Sequence, residues 1–170
     1  VLREQHQGQG AAKRVLLGGC GKTNEVTTET IRQAMGSAAK RVRQTKVESF
    51  SVALPTVRPE GMSSLDVAQA MVEGAILGSY QFTVYRSEAA SGRDVAEMRV
   101  LIPMKAQSRQ VVEGIRRGVA TAEATVFVRY LCHTQSTVLT PTRVADDATP
   151  SVHDETHRIN IPHQPAEEGQ

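Results

Sequence analysis

Gly21-Lys22-Thr23 follows the apolar run Val15-Leu16-Leu17. That is where a phosphate-binding loop would wrap its amides round an anion. Such a loop needs G-x-x-x-x-G-K-[ST]. Counting back five residues from Gly21 gives Leu16 where a glycine is required, and no acid for magnesium stands at a clear strand end. Gly18, Gly19 and Gly21 therefore read as a tight strand-to-helix turn. His153-Asp154-Glu155-Thr156-His157 sets two histidines at i, i+4, the spacing of a zinc-binding helix. There the general-base Glu directly follows the first His; here Asp154 does, so the segment reads as solvated. His133 has Cys132 beside it and Ser136 three residues on. A nucleophile couple needs an orienting group and an oxyanion hole, and adjacent residues at a helix end point apart. His133 reads as a partner for a terminal helix carbonyl. Asp146-Asp147 reads as a surface pair. Cys20 and Cys132 lie outside any C-x-x-C pattern and read as buried thiols of a reducing, intracellular compartment. The expectation is no catalytic, no cofactor-binding and no metal-binding residue in this chain.

The elements that would position these residues follow from periodicity. Residues 15–17 are a short buried strand, stopped by the glycine turn. Thr23 or Asn24 is expected to cap a helix carrying Ile31, Ala34, Met35, Ala38, Ala39 and Val42 on one face. Residues 47–54 alternate as a second strand, with Phe50, Val52 and Leu54 toward one side, and Pro55 stops it. Ser63 or Ser64 caps a helix striped by Leu65, Ala68, Met71, Val72, Ala75 and Ile76. Residues 86–93 are a polar loop. Residues 95–104 form a third strand. Ser108 opens a long helix, 110–132, striped by Val111, Val112, Ile115, Val119, Ala122, Val126 and Leu131. Thr140-Pro141-Thr142 caps a short turn over 143–148.

Strand, helix, strand, helix, strand, helix is the α/β rhythm and predicts a mainly parallel sheet between helices. Three strands make a thin sheet, as if further strands lay upstream or came from a neighbour. Residues 1–12 are expected to be an N-terminal extension. Residues 149–170, punctuated by Pro150, Pro162 and Pro165, are expected to be an extended or disordered tail in which only Ile159 and Ile161 could join a core.

The chain has 170 residues, 39% hydrophobic, 22% charged and 4% aromatic. This suits one domain and excludes most two-domain enzymes. No run of 18 apolar residues exists, so no membrane span is expected. The polar, Gln/Gly-rich start carries no secretory pattern; an import peptide already removed is compatible with it. Net charge is +2, but residues 1–143 carry 19 Lys/Arg against 12 Asp/Glu (+7) and residues 144–170 carry one Arg against six acids (−5). A basic body suits a polyanionic partner such as RNA, although six aromatics are few for a single-strand binder.

Several segments together resemble a known family. They are Lys13 to Lys22 (KRVLLGGCGK), Thr30 to Ala34 (TIRQA), Val72 to Phe82 (VEGAILGSYQF), Gly118 to Ala124 (GVATAEA) and Val138 to Thr142 (VLTPT). Over about residues 12–148 the chain resembles the N-terminal domain of the leucyl (cytosol) aminopeptidase family. The resemblance implies a macro-domain-like, three-layer α/β/α fold with an incomplete, mainly parallel sheet and an extended C-terminal tail. It places the domain at 13–148, with the family's first strands expected to be missing upstream of Lys13. In that family two metal ions and all their ligands belong to a separate C-terminal domain, whose N-T-D-A-E-G-R segment does not occur here. Family members usually show Asn-x-Pro-x-Asn before Leu-Thr-Pro; here the stretch is His133 to Thr137, without the Pro or either Asn.

The expected function is thus a non-catalytic structural or assembly subunit of a larger complex, with protein partners and an RNA contact as a further surface. The alternative is the N-terminal fragment of a hexameric, metal-dependent leucyl aminopeptidase, in which two divalent metals would sit outside this chain. A macro-like module for ADP-ribose ranks last. Cytoplasmic and organellar locations, including the mitochondrial matrix, both fit.

Overall fold

The computed structural model describes residues 2–6, 12, 14–56, 58–83, 85, 95–103, 108–135 and 137–153. In chain order the elements are β1 (Leu2–His6), β2 (Arg14–Gly18), α1 (Thr28–Gln44), β3 (Ser49–Ala53), α2 (Ser64–Ser79), β4 (Glu97–Leu101), α3 (Ser108–His133) and α4 (Pro141–His153). The α/β class is as expected. β3 and β4 pair in parallel, Phe50 opposite Met98 and Val52 opposite Val100. A parallel pair needs a crossover, and α2 supplies it. β1 and β2 pair antiparallel, Leu2 opposite Gly18 and His6 opposite Arg14. Among the described residues these are two separate two-stranded sheets, so the sheet is open.

Local chemistry explains where the helices begin. At α1 the Thr27 hydroxyl accepts from the Thr30 amide at 3.1 Å, and the Thr27 amide donates back to the Thr30 hydroxyl at 3.3 Å. This is a capping box with Thr in the place usually held by Glu. The expected cap at Thr23 or Asn24 is corrected: residues Thr23–Glu25 form a short 3-10 turn instead, and the α-helix starts after it. Of the two caps expected for α2, Ser63 and Ser64, Ser63 is the one present, with Asp66 as its reciprocal partner. At α4 the Arg143 amide donates to the Thr140 hydroxyl, and Pro141 takes the first helical position, where no amide is needed.

The core lies between helices and one sheet face. Phe50, Val52, Met98, Val100 and Ile102 pack against a cluster of Ile31, Met35, Ala39, Leu54, Val67, Ala68, Ala70, Met71, Ala75 and Val111. The opposite face of the pair carries Ser49, Ser51, Ala53, Glu97, Arg99 and Leu101, all exposed. The striped pattern expected for α2 is corrected: Val67 through Ala75 are buried with Gln69 as the one exception, because α1 packs on one side of the helix and α3 on the other. A helix buried all round loses its single apolar stripe.

That sandwiching rests on glycine. A Cβ at Gly74 would collide with the Arg32 carbonyl of α1, and one at Gly78 would meet the Cα and carbonyl of Gly36. On the other side, a Cβ at Gly114 would collide with the Leu65 carbonyl, and one at Gly118 would lie 2.8 Å from the Gln69 carbonyl. The stripe expected for α3 is corrected accordingly. Val111, Ala122 and Val126 are buried, but Val112 is 61% exposed, and Gly114, Gly118 and Tyr130 complete the buried face.

Two further expectations are corrected. Residues 1–12 contribute the strand β1; its sequence LREQH has no apolar alternation, so only backbone pairing with β2 reveals it. α4 begins at Pro141 and passes Pro150 to His153, five residues into the stretch read as a tail. A proline removes one ladder hydrogen bond but has helical φ itself. Residues 154–170, the 86–93 loop, Ser136 and His157 lie outside the described residues.

Gly78→Ala is expected to lower the unfolding free energy by about 2–3 kcal/mol, since backbone must move to admit the methyl. Val112→Ala is expected to change it little. Urea unfolding followed by circular dichroism checks both.

Candidate functional site

The glycine turn flagged in the sequence borders a cleft of about 400 Å³ lined by Gly18, Gly19, Cys20, Thr30, Gln33, Ala34 and Ser37. Its geometry differs from that of a phosphate loop. Gly21 takes φ +91°, the left-handed region that glycine permits. Lys22 and Thr23 open only a short 3-10 turn and no α-helix, because α1 starts at Thr28. Lys22 is 81% exposed and lies 3.5 Å from the Glu25 carboxylate. Among the described residues no charged side chain lines the cleft. Thr30 is occupied by the Thr27 cap, and the Gln33 amide donates to Glu29 at 3.0 Å.

The chemically able side chains of α1 and α2 meet elsewhere. Glu73 is 4% exposed, yet it sits on a helix buried on both sides. Arg32 Nε donates to Glu73 Oε2 at 2.8 Å, and the Gln69 amide donates to Glu73 Oε1 at 2.9 Å. Arg32 also donates to Glu29 at 2.5 Å. Both carboxylate oxygens of Glu73 are thus satisfied, as burial of a charge demands. The Glu73 carboxylate holds the Arg32 guanidinium above its ordinary pKa, and Arg32 holds Glu29 below the usual carboxylate range. This is a clamp between α1 and α2.

A second cluster forms where α2 and α3 end. Phe82 stacks on His133 with ring centres 5.3 Å apart, meets Tyr85 edge-on at 5.5 Å and lies 6.1 Å from Tyr130. Tyr80 completes the group, 6.2 Å from His133. His133 Nδ1 is 2.6 Å from the Arg129 carbonyl, the helix-end role read from the sequence. Its neighbour Cys132 is exposed, a correction to the buried thiol expected there; α3 turns position 132 toward solvent. The carbonyls at the end of α2, which has no basic residue in its last turn, are served in trans. Arg43 of α1 donates to the Ser79 carbonyl at 3.0 Å, and Arg129 of α3 approaches the Leu77 carbonyl at 3.4 Å. With its amide oxygen turned inward, Gln81 also accepts from Arg43 at 2.9 Å. Two cations at a helix C-terminus complement its dipole.

Asp147 forms an ion pair with Arg143 one turn away, at 3.1 Å, while Asp146 is exposed. Among the described residues no group of three or more His, Cys, Asp or Glu could hold a metal ion. The aromatic cluster and the Glu73 clamp were both missed in the sequence. The signals for them were four of the six aromatics falling at 80, 82, 85 and 130, and a lone Glu inside an apolar helix.

Fold and site together define a mixed α/β domain built on a parallel strand–helix–strand unit with an open sheet. The model of the cytosol aminopeptidase family N-terminal domain matches residues 1–89. The chain belongs to that family, as its N-terminal domain. It is 34% identical over 139 residues to a probable cytosol aminopeptidase of Roseiflexus castenholzii, covering 81% of this chain and 28% of that protein. It is 34% identical over 135 residues to a counterpart of Aquifex aeolicus, covering 79% of this chain and 25% of that one. Among solved structures, the bottromycin maturation enzyme BotP in complex with Mn superposes with a TM-score of 0.70 at 28% identity, covering 89% of this chain and 31% of BotP. The chain therefore spans roughly a quarter to a third of the relatives it matches.

The Tyr80 hydroxyl is buried and, among the described residues, has no hydrogen-bond partner; burial pushes its pKa up. An unsatisfied buried donor costs about 1–3 kcal/mol. Tyr80→Phe is expected to leave the thermal midpoint unchanged or raise it, and a lower midpoint would contradict this environment.

Proposed function

We propose that these residues serve as a non-catalytic scaffold, an assembly or positioning domain for a larger protein or complex. The observation that carries the reading is where the reactive side chains lie. Glu73, Glu29 and Arg32 clamp α1 to α2, His133 meets the Arg129 carbonyl, and Asp147 pairs with Arg143. Glu73 and Arg32 hold one helix to another, His133 closes a helix end, and Asp147 is engaged one turn away within α4. The domain so proposed is the body 13–148, with β1 added at one end and the continuation of α4 at the other. Its partners are protein surfaces. An RNA contact finds no comparable support, because Arg32, Arg99, Arg116, Arg117 and Arg143 each face a carboxylate, which lowers the free positive charge of the body.

A second reading is favoured by the relatives. If the chain is the N-terminal part of a longer protein of their kind, that protein would be a metal-dependent aminopeptidase. This domain would then contribute contacts within its oligomer, a hexamer on this reading. The metals would be held by another segment, and the location would be the cytosol that the relatives' names state. No described helix is long and apolar enough to cross a membrane.

Leucyl-p-nitroanilide with Mn²⁺ or Zn²⁺ tests the shared claim. The 170-residue chain is expected to release no p-nitroaniline above the metal-only blank; metal-dependent turnover would overturn it. The intact mass of the native protein separates the two readings, 18.4 kDa for a free subunit and a several-fold larger mass for a fused enzyme.

A further inference from the structure

The last described element, α4, is joined to the body by a short turn, and that turn is held from outside. The Gln135 amide donates to the Tyr85 hydroxyl at 3.1 Å, across fifty residues of chain. The Tyr85 ring rests edge-on against Phe82, and Phe82 stacks on His133, the last residue of α3. The Thr134 hydroxyl turns back to the Tyr130 carbonyl at 2.8 Å, and the Val138 and Leu139 amides both donate to the Gln135 carbonyl, at 2.9 and 3.0 Å. On the body side, Phe82 follows the end of α2, where the Ser79 carbonyl accepts from Arg43 of α1 at 3.0 Å. A path therefore runs from α1 to the root of α4: Arg43, the Ser79 carbonyl, Phe82, Tyr85, Gln135.

We propose that Tyr85, through Phe82 and His133, is a positioning residue that latches the α3–α4 turn and fixes the direction in which α4 leaves the three-helix body. Tyr85 is 48% exposed, which suits a latch better than a core residue. Its hydroxyl is aimed at a turn amide, where the chain has no helical partner to offer. Without it, the hydrogen bonds left at the turn itself, among the described residues, are the local ones just named, and α4 gains freedom to pivot there. The inference deepens the scaffold reading and rests on it: a scaffold that positions something needs a defined exit direction.

The test uses the full chain with nitroxide labels at Lys40→Cys on α1 and Asp146→Cys on α4, in a background with Cys20→Ser and Cys132→Ser. Double electron–electron resonance reads the distance between them. The parent is expected to give one narrow distance. Tyr85→Phe keeps the ring and loses only the hydroxyl, and it is expected to widen the distribution about twofold with an unchanged thermal midpoint. Phe82→Leu is expected to widen it further. An equally narrow distribution in folded Tyr85→Phe, or a broad one already in the parent, would overturn the latch. Should Phe82→Leu fail to fold, the Tyr85→Phe result decides alone. Peptidase turnover by the chain would remove the scaffold reading while leaving this distance unchanged, so the two failures are distinguishable.

Discussion

α2 can lie between α1 and α3 only because its backbone and theirs touch. Gly74 and Gly78 face Arg32 and Gly36 of α1, and Gly114 and Gly118 of α3 face Leu65 and Gln69. Removing the Cβ at these positions brings helix axes closer than larger side chains permit. The rest follows from that closeness. Val67, Ala68, Ala70 and Met71 are buried almost completely, so the core is formed by small and medium side chains at short range. Phe50, Val52, Met98 and Val100 then need only one apolar surface to pack on. The strand pair β3–β4 is positioned by α2, which also connects it.

The same closeness explains the buried charge. Glu73 lies beside Gly74, at the α1–α2 contact, and its carboxylate is flanked by Arg32 from α1 and Gln69 from its own helix. Replacing one partner of such a pair leaves the other buried without compensation. Arg32 is about one-third exposed, which softens that penalty by letting water reach the guanidinium. The pair thus fixes which face of α2 meets α1. The two trans arginines at the end of α2, Arg43 and Arg129, repeat the logic. Each neighbouring helix is tied to α2 both by packing and by a directed hydrogen bond.

Much of this was legible in the sequence where a local signal suffices. The Ser63 cap, the Thr140-Pro141 start, the alternation of β3 and the apolar face of α1 each come from residues within one turn or strand. What was illegible depends on contacts made elsewhere in space. The stripe assigned to α3 included Val112 because it is apolar, yet the contact face runs through Gly114 and Gly118, whose contribution is the absence of a side chain. The α1 cap was expected at Thr23 or Asn24 because nothing local shows that a 3-10 turn intervenes before Thr27. β1 has no side-chain pattern and exists by pairing alone. The site showed the same division. The helix-end role of His133 was readable, whereas its stacking on Phe82 joins positions 51 residues apart.

Native-state hydrogen exchange tests the central claim that α2 is the element on which the others are assembled. The amides of 67–75 are predicted to be the slowest in the molecule, exchanging only when the whole domain unfolds, with those of α1 and α3 no slower. Faster exchange in α2 than in α1 or α3, through openings smaller than global unfolding, would contradict the account.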